Sequence, residues 1–271
     1  MFKNVEKQTL RKQAGFTLVE LSVVLVVVGL LFAAVVKGQE MVDLTKSIKL
    51  LNDMKNVEAL IQAHAITKGR MPGDCNGDGV IDMAADQVPR TDASNSTRAD
   101  LYDFSAAKSV YAAASAATSG TEGCMEIGGL PATDTAISAN TWINDLKISG
   151  LLSDSVVNRT YAKQVNEDMM FVGHITEKNG TTSGGGQYNA MVIHNVPQWM
   201  ARYVSTAING TGAVAHRNRV RSLKLDGTDG QYEEKWDTST AAGSATAGTG
   251  NQRNSMVSLV YFFDRIPATS N

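Results

Sequence analysis

The chain has 271 residues, of which 43% are hydrophobic and 19% charged, and a net charge of −2. This balance excludes an intrinsically disordered chain, which lacks the apolar content for a core. It offers no electrostatic footprint for nucleic acid, and none is expected as a partner.

The near-neutral total hides an asymmetry. Lys3, Lys7, Arg11 and Lys12 face only Glu6 within residues 1–15, so the head is basic and the remainder mildly acidic. A nearly unbroken apolar run follows, from Phe16 to Val36, with Thr17, Glu20, Ser22 and Gly29 as its interruptions. As a helix it is about 32 Å long, enough to span a bilayer core. The basic end then stays in the cytoplasm and the acidic body crosses. A cleaved secretory signal fits poorly, because the run is too long and no small-residue cleavage site follows it. A simple anchor also fits poorly, because a carboxylate in lipid costs a few kcal/mol.

The residues "GFTLVELSVVLVVVGLL" (15–31) supply a third reading. They resemble the class III signal of type IV prepilins and type II secretion pseudopilins: a small residue, Phe, Thr-Leu-Val-Glu, then an aliphatic run. The resemblance implies that a prepilin peptidase cuts between Gly15 and Phe16 and that the new amino group of Phe16 is methylated. Glu20 matches the family's glutamate. In a filament core the Phe16 amine of one subunit then meets the Glu20 carboxylate of its neighbour, since two buried charges are tolerable as a pair. Implied partners are other pilin-like subunits, the peptidase, and an inner-membrane assembly platform with its ATPase. Before assembly the chain sits in the inner membrane as a single pass with its head in the periplasm; afterwards it lies in a periplasmic or cell-surface filament. A head of about 200 residues is large for a repeating major subunit in such a family and favours a minor pilin or pseudopilin over one. The alternative is a membrane-anchored periplasmic binding module that never polymerises.

Helical periodicity resumes after Glu40. Met41, Leu44, Ile48, Leu51, Val57 and Ile61 recur at three- and four-residue steps, and no proline occurs from Phe16 to Met71. One helix is expected over 16–67, with 16–36 as membrane span or filament core and 68–271 as a globular head. Gly69 and Pro72 end it. The predicted fold class is α+β: a long N-terminal helix packed on a head with a small antiparallel sheet, as in pilins.

In the next loop Asp74, Asn76, Asp78, Gly79 and Asp82 match most of an EF-hand calcium loop, with Val80 offering its carbonyl. The twelfth position is Ala85 where a bidentate Glu belongs. Two readings stand, a calcium site and an Asx- and Gly-rich turn. A Leu-Pro-Gly-Asp turn in a subgroup of pilin-like proteins resembles "MPGD" here. Cys75 and Cys124 are the two cysteines. In an exported body they point to a disulfide, the other reading being two buried thiols.

Residues 98–118 have helical propensity, and "TWINDLKISGLL" (141–152) is a short amphipathic helix capped by Gly150. Strands are expected at 169–177, 188–196, 219–225 and 255–263, with "KNGTTSGGGQ" (178–187) as a hairpin loop. A helix starting near Pro197 and stopping at Gly210 separates the second and third strands. The acidic turn at Asp226 and Asp229 reads as solvated, with a second metal-binding loop as the other reading, and 239–252 reads as a low-complexity surface loop. His64, His174, His194 and His216 show no metal-ligand spacing, although His174 and His194 lie on adjacent arms where they can pair across the hairpin. No nucleophile elbow, P-loop or dinucleotide fingerprint occurs, so no catalytic residue is expected and the chain reads as a non-enzyme.

Overall fold

A computed structural model describes residues 17–85, 104, 124, 139–179, 182–224, 232–233, 235–236 and 255–267. The predicted helix at 98–118 (apart from Phe104), the turn at Asp226 and Asp229, and the loop at 239–252 lie outside these residues. Two compact units are present, Met1–Leu44 and Thr45–Asn271.

Helix α1 runs from Leu18 to Lys68, 51 residues or about 76 Å. It passes through Gly29 and Gly38 without a break, and a Cβ at either would touch nothing within 4 Å. Its end is as expected: Gly69 adopts φ +74° and its N–H bonds to the Ala65 carbonyl at 2.9 Å.

Within the second unit α1 buries Ser47, Leu50, Met54, Val57, Ile61 and His64. These recur at three and four residues and form one seam. The expected stripe departs from this seam: Met41 and Leu44 precede it, Ile48 stands one residue off Ser47, and all three are exposed. Ser47 and His64, two polar residues, complete the seam instead.

The remaining elements are α2 (Thr141–Ile148), α3 (Asn158–Ala162), β1 (Met170–Asn179), β2 (Thr182–Pro197), α4 (Gln198–Asn209), β3 (Val220–Leu223) and β4 (Met256–Phe262). The four strands form one antiparallel sheet in the order β1-β2-β4-β3. The architecture is therefore α+β, as the sequence predicts. Gly150 closes α2 with φ +76°. The predicted hairpin loop is much shorter than expected: strand pairing extends to Asn179 and Thr182, so the glycines 184–186 lie in β2. Helix α3 was not anticipated, having too few residues to show a period.

Residues Val257 to Phe262 are all buried, so both faces of β4 are covered. That explains why its sequence reads as a continuous apolar run rather than an alternating one. Helix α4 packs on β2, β3 and β4 through Met200, Ala201 and Val204. Phe104 reaches the core and lies 5.4 Å from the Phe171 ring.

Both sheet edges are occupied, which removes templates for unwanted strand pairing. Against β1, the His174 N–H donates to the Met83 carbonyl at 2.7 Å and Ala84 forms a parallel bridge. A Cβ on Gly173 would stand 2.2 Å from the Met83 oxygen, so only glycine permits this approach. Against β3, Tyr232 forms a bridge with Leu223, and the Glu233 N–H donates to the Ser222 carbonyl at 2.8 Å.

His174 and His194 do not pair, because His174 stands opposite Asn189. His194 is instead buried, with Nδ1 2.8 Å from Ser258 Oγ and its ring 5.6 Å from Phe171. Burial pushes its pKa down to about 3 and also lowers that of His64. An unfolded histidine takes its proton near pH 6.5 while these folded ones resist it, so acid favours unfolding. His194 alone should remove about 2 kcal/mol of stability between pH 6.5 and pH 5, at roughly 1.4 kcal/mol per pH unit. Asp82 and Glu177, raised by burial, oppose this trend only closer to the carboxylate range. Thermal unfolding at several pH values checks this expectation, and His194→Gln should flatten the dependence.

Candidate functional site

Two regions contain the residues singled out in the sequence: the start of α1, and the turn that follows its end.

Among the described residues the first unit presents an apolar surface with nothing packed on it. Leu18 is 83% exposed and Phe32 70%, values that in water only a further partner or lipid would make tolerable. The helix is long and apolar enough to cross a membrane, by length and composition. Its polar interruptions are managed locally. Ser22 Oγ donates to the Val19 carbonyl at 2.8 Å, which satisfies the hydroxyl within the helix.

Glu20 has local partners as well. The Thr17 backbone N–H and the Thr17 hydroxyl both donate to Glu20 Oε2 at 2.9 Å. The Glu20 N–H returns a bond to Thr17 Oγ1 at 3.3 Å. Together these bonds form a capping box, in which two N-terminal orphan donors are satisfied reciprocally. A carboxylate in the first turn also faces the positive end of the helix dipole. Sequence reasoning assigned Glu20 to an intersubunit contact and missed this one, although T-x-x-E before an apolar run is its standard signature. Among the described residues Glu20 Oε1 accepts no hydrogen bond, so it remains open to an incoming donor. Gly15 and Phe16 lie outside the described residues.

The second region is tied together by a residue from α2. Asp145 is 1% exposed, and its Oδ2 accepts from Arg70 Nη1 at 2.7 Å and from the Gly73 N–H at 2.8 Å. Its Oδ1 accepts from the Cys124 N–H at 2.7 Å. Arg70 Nη1 also donates to the Asp74 carbonyl at 3.1 Å. One carboxylate thus fixes the helix stop, the turn and the disulfide partner. Cys75 and Cys124 are bonded, as expected, with Cα atoms 4.8 Å apart. Their sequence separation of 49 residues gives about 4 kcal/mol of stabilisation by chain entropy. Cys75→Ser with Cys124→Ser should therefore lower the unfolding free energy by about that amount, readable in a denaturant melt.

The turn gathers the acidic residues that the calcium pattern named. Asp74 accepts from Gly77 N at 2.7 Å and Gly79 N at 3.0 Å, Asp78 from Val80 N at 2.8 Å, and Asp82 from Cys75 N at 2.7 Å. Asn76 Nδ2 donates to Asp78 Oδ2 at 3.0 Å and to Asp82 Oδ1 at 3.3 Å. The carboxylates are therefore engaged with the turn's own donors. Among the described residues no group of three or more His, Cys, Asp or Glu is placed to hold a metal ion. The twelfth position cannot contribute, since Ala85 is fully buried. Asn189 of β2 latches this turn to the sheet: its Oδ1 accepts from Ile81 N and its Nδ2 donates to the Gly79 carbonyl, both at 2.8 Å. No sequence signal marked Asp145 or Asn189, because their partners are distant in the chain.

The family description "prokaryotic N-terminal methylation motif" matches residues 10–36. The chain therefore carries the class III signal of type IV pilins and pseudopilins, and this signal covers the start of α1. Comparison with curated proteins and with solved structures returned no match.

Proposed function

We propose that the protein is a structural subunit of a type IV pilus-like filament, a minor pilin or a secretion pseudopilin. The observation that carries this reading is the methylation motif running directly into a 51-residue helix whose first half exposes apolar side chains. A span made only for lipid needs neither a carboxylate in its first turn nor a helical continuation into the core of a globular unit.

In this reading residues 1–15 are a leader removed between Gly15 and Phe16, and Phe16 is then methylated. Residues 16–36 lie in the inner membrane until assembly, with residues 68–271 as the periplasmic head. An assembly platform and its ATPase extract the subunit, and neighbouring helices replace lipid around 16–36. Glu20 then receives the Phe16 amine of a neighbour, a pairing that penalises wrong axial registers because an unpaired buried charge is costly.

Replacing Gly15 with a bulky residue tests the pathway. The expected result is a full-length chain, with its basic leader attached, confined to the membrane fraction and absent from sheared filaments. Normal entry of that variant into filaments would contradict the reading.

A further inference from the structure

A cleft of about 530 Å³ opens in the second unit between α1 and the α3 region. Lys49 lines it from α1, Arg159, Thr160 and Lys163 from α3 and its C-terminal flank, and Gln164 and Glu167 from the following turn. Lys49, Arg159 and Lys163 are all exposed. Glu167 lies 3.7 Å from Lys163, too far and too exposed to neutralise it strongly. Lys49 has only the through-space attraction of Asp53 one turn along α1, and neither it nor Arg159 forms a close ion pair among the described residues. At the cleft wall Gln164 is 5% exposed, and its Oε1 accepts no hydrogen bond there. A buried acceptor without a donor marks an incomplete surface.

The same unit carries the converse feature. Asn76, Gly77 and Asp78 form an exposed tip on the acidic turn, and no cation pairs with Asp74, Asp78 or Asp82 among the described residues. Asp74 and Asp78 both add to the burial that raises the Asp82 carboxyl. The turn therefore gathers three carboxylates that are bonded to its own amides and to Asn76, with Asp78 the exposed one.

The geometry points to a contact between copies: the acidic turn 74–82 of one subunit docks, Asp78 first, in the Lys49–Arg159–Lys163 cleft of a second copy. Such a contact joins different surfaces of identical chains, which is the kind that propagates into open filaments rather than closing a ring. The turn's exposed tip supplies what the cleft lacks, namely a carboxylate, Asp78, for its cations. Charge-assisted bonds of this type fix register and partner choice. The inference rests on the filament reading.

Zero-length carbodiimide coupling of filaments sheared from cells tests it on the unmodified chain, because the reagent joins a carboxylate directly to a lysine amine. Filaments are assembled from mixed isotope-labelled and unlabelled copies, so that intermolecular products are distinguished by mass. The expected product joins the Asp78 peptide of one copy to the Lys49 or Lys163 peptide of another. Lys163→Glu together with Lys49→Glu, both at exposed positions, should cut incorporation about tenfold, as like charges placed face to face do. Adding Asp78→Lys should restore part of it. If filaments form but yield no such peptide and the doubly reversed cleft variant incorporates normally, this contact is wrong and the filament reading stands. If the unmodified chain enters no filament, both fall.

Discussion

Asp145→Ala should destabilise the second unit by about 3–5 kcal/mol, the range for removing one partner of a buried ion pair. The substitution leaves the Arg70 guanidinium, whose side chain is 11% exposed, without its carboxylate. It also strips the acceptor from the Gly73 and Cys124 N–H groups. Each buried orphan donor adds a penalty of about 1–3 kcal/mol unless water reaches it. For a unit of this size the midpoint should fall by roughly 10 °C. Asp145→Asn keeps the shape and one acceptor oxygen but loses the charge, so it should fall between alanine and the native chain. Differential scanning of the full chain in detergent reads both. A shift below about 2 °C for the alanine variant would mean that Asp145 is not the clamp its contacts describe.

The second large effect concerns assembly. Glu20 has two candidate roles, the capping box with Thr17 and the pairing with a neighbour's amine, and two substitutions separate them. Glutamine at the third helical position still serves a capping box. Glu20→Gln therefore keeps the cap and removes only the charge, whereas Glu20→Ala removes both. If the charge is what the filament requires, both variants should be processed normally and enter filaments at least tenfold less, since a buried amine then lacks its counter-charge. If the cap is what matters, glutamine should behave as wild type and Thr17→Ala should be defective. Loss of a cap costs only about 1 kcal/mol, which a long helix tolerates. The account therefore expects Thr17→Ala to assemble nearly normally. Quantitative blotting of sheared fractions against membrane fractions distinguishes these outcomes.

What the sequence disclosed and what it hid divide along the range of the interactions. Helix α1, its stop at Gly69 and the four strands were legible because they depend on local periodicity and turn chemistry. The apolar face of α1 was displaced because Met41 and Leu44 precede the core and Ile48 is one residue out of phase with Ser47 and Leu50, which polar Ser47 hides from an apolar count. The hairpin was misjudged because Gly184 to Gly186 read as loop, whereas pairing with β1 carries the strand through them. The calcium pattern was legible as composition, but the burial of Ala85 and the bonding of Asp74, Asp78 and Asp82 to nearby amides depend on the fold. Asp145 and Asn189 were invisible for a similar reason: each is an ordinary residue in its own helix or strand, made important by a turn some 70 to 110 positions earlier. Only the Thr17–Glu20 box was a local signal that went unread.

In the proposed reading, the start of α1 and the motif over residues 10–36 meet at one chemical event, the creation of a new N-terminus beside Glu20. Intact-mass measurement of the chain recovered from membranes and from sheared filaments tests this most directly. The account predicts a mass lacking residues 1–15 and carrying one added methyl group, in both fractions. A chain that keeps residues 1–15 and is found only in membranes would contradict it, and would leave an anchored periplasmic module as the better description.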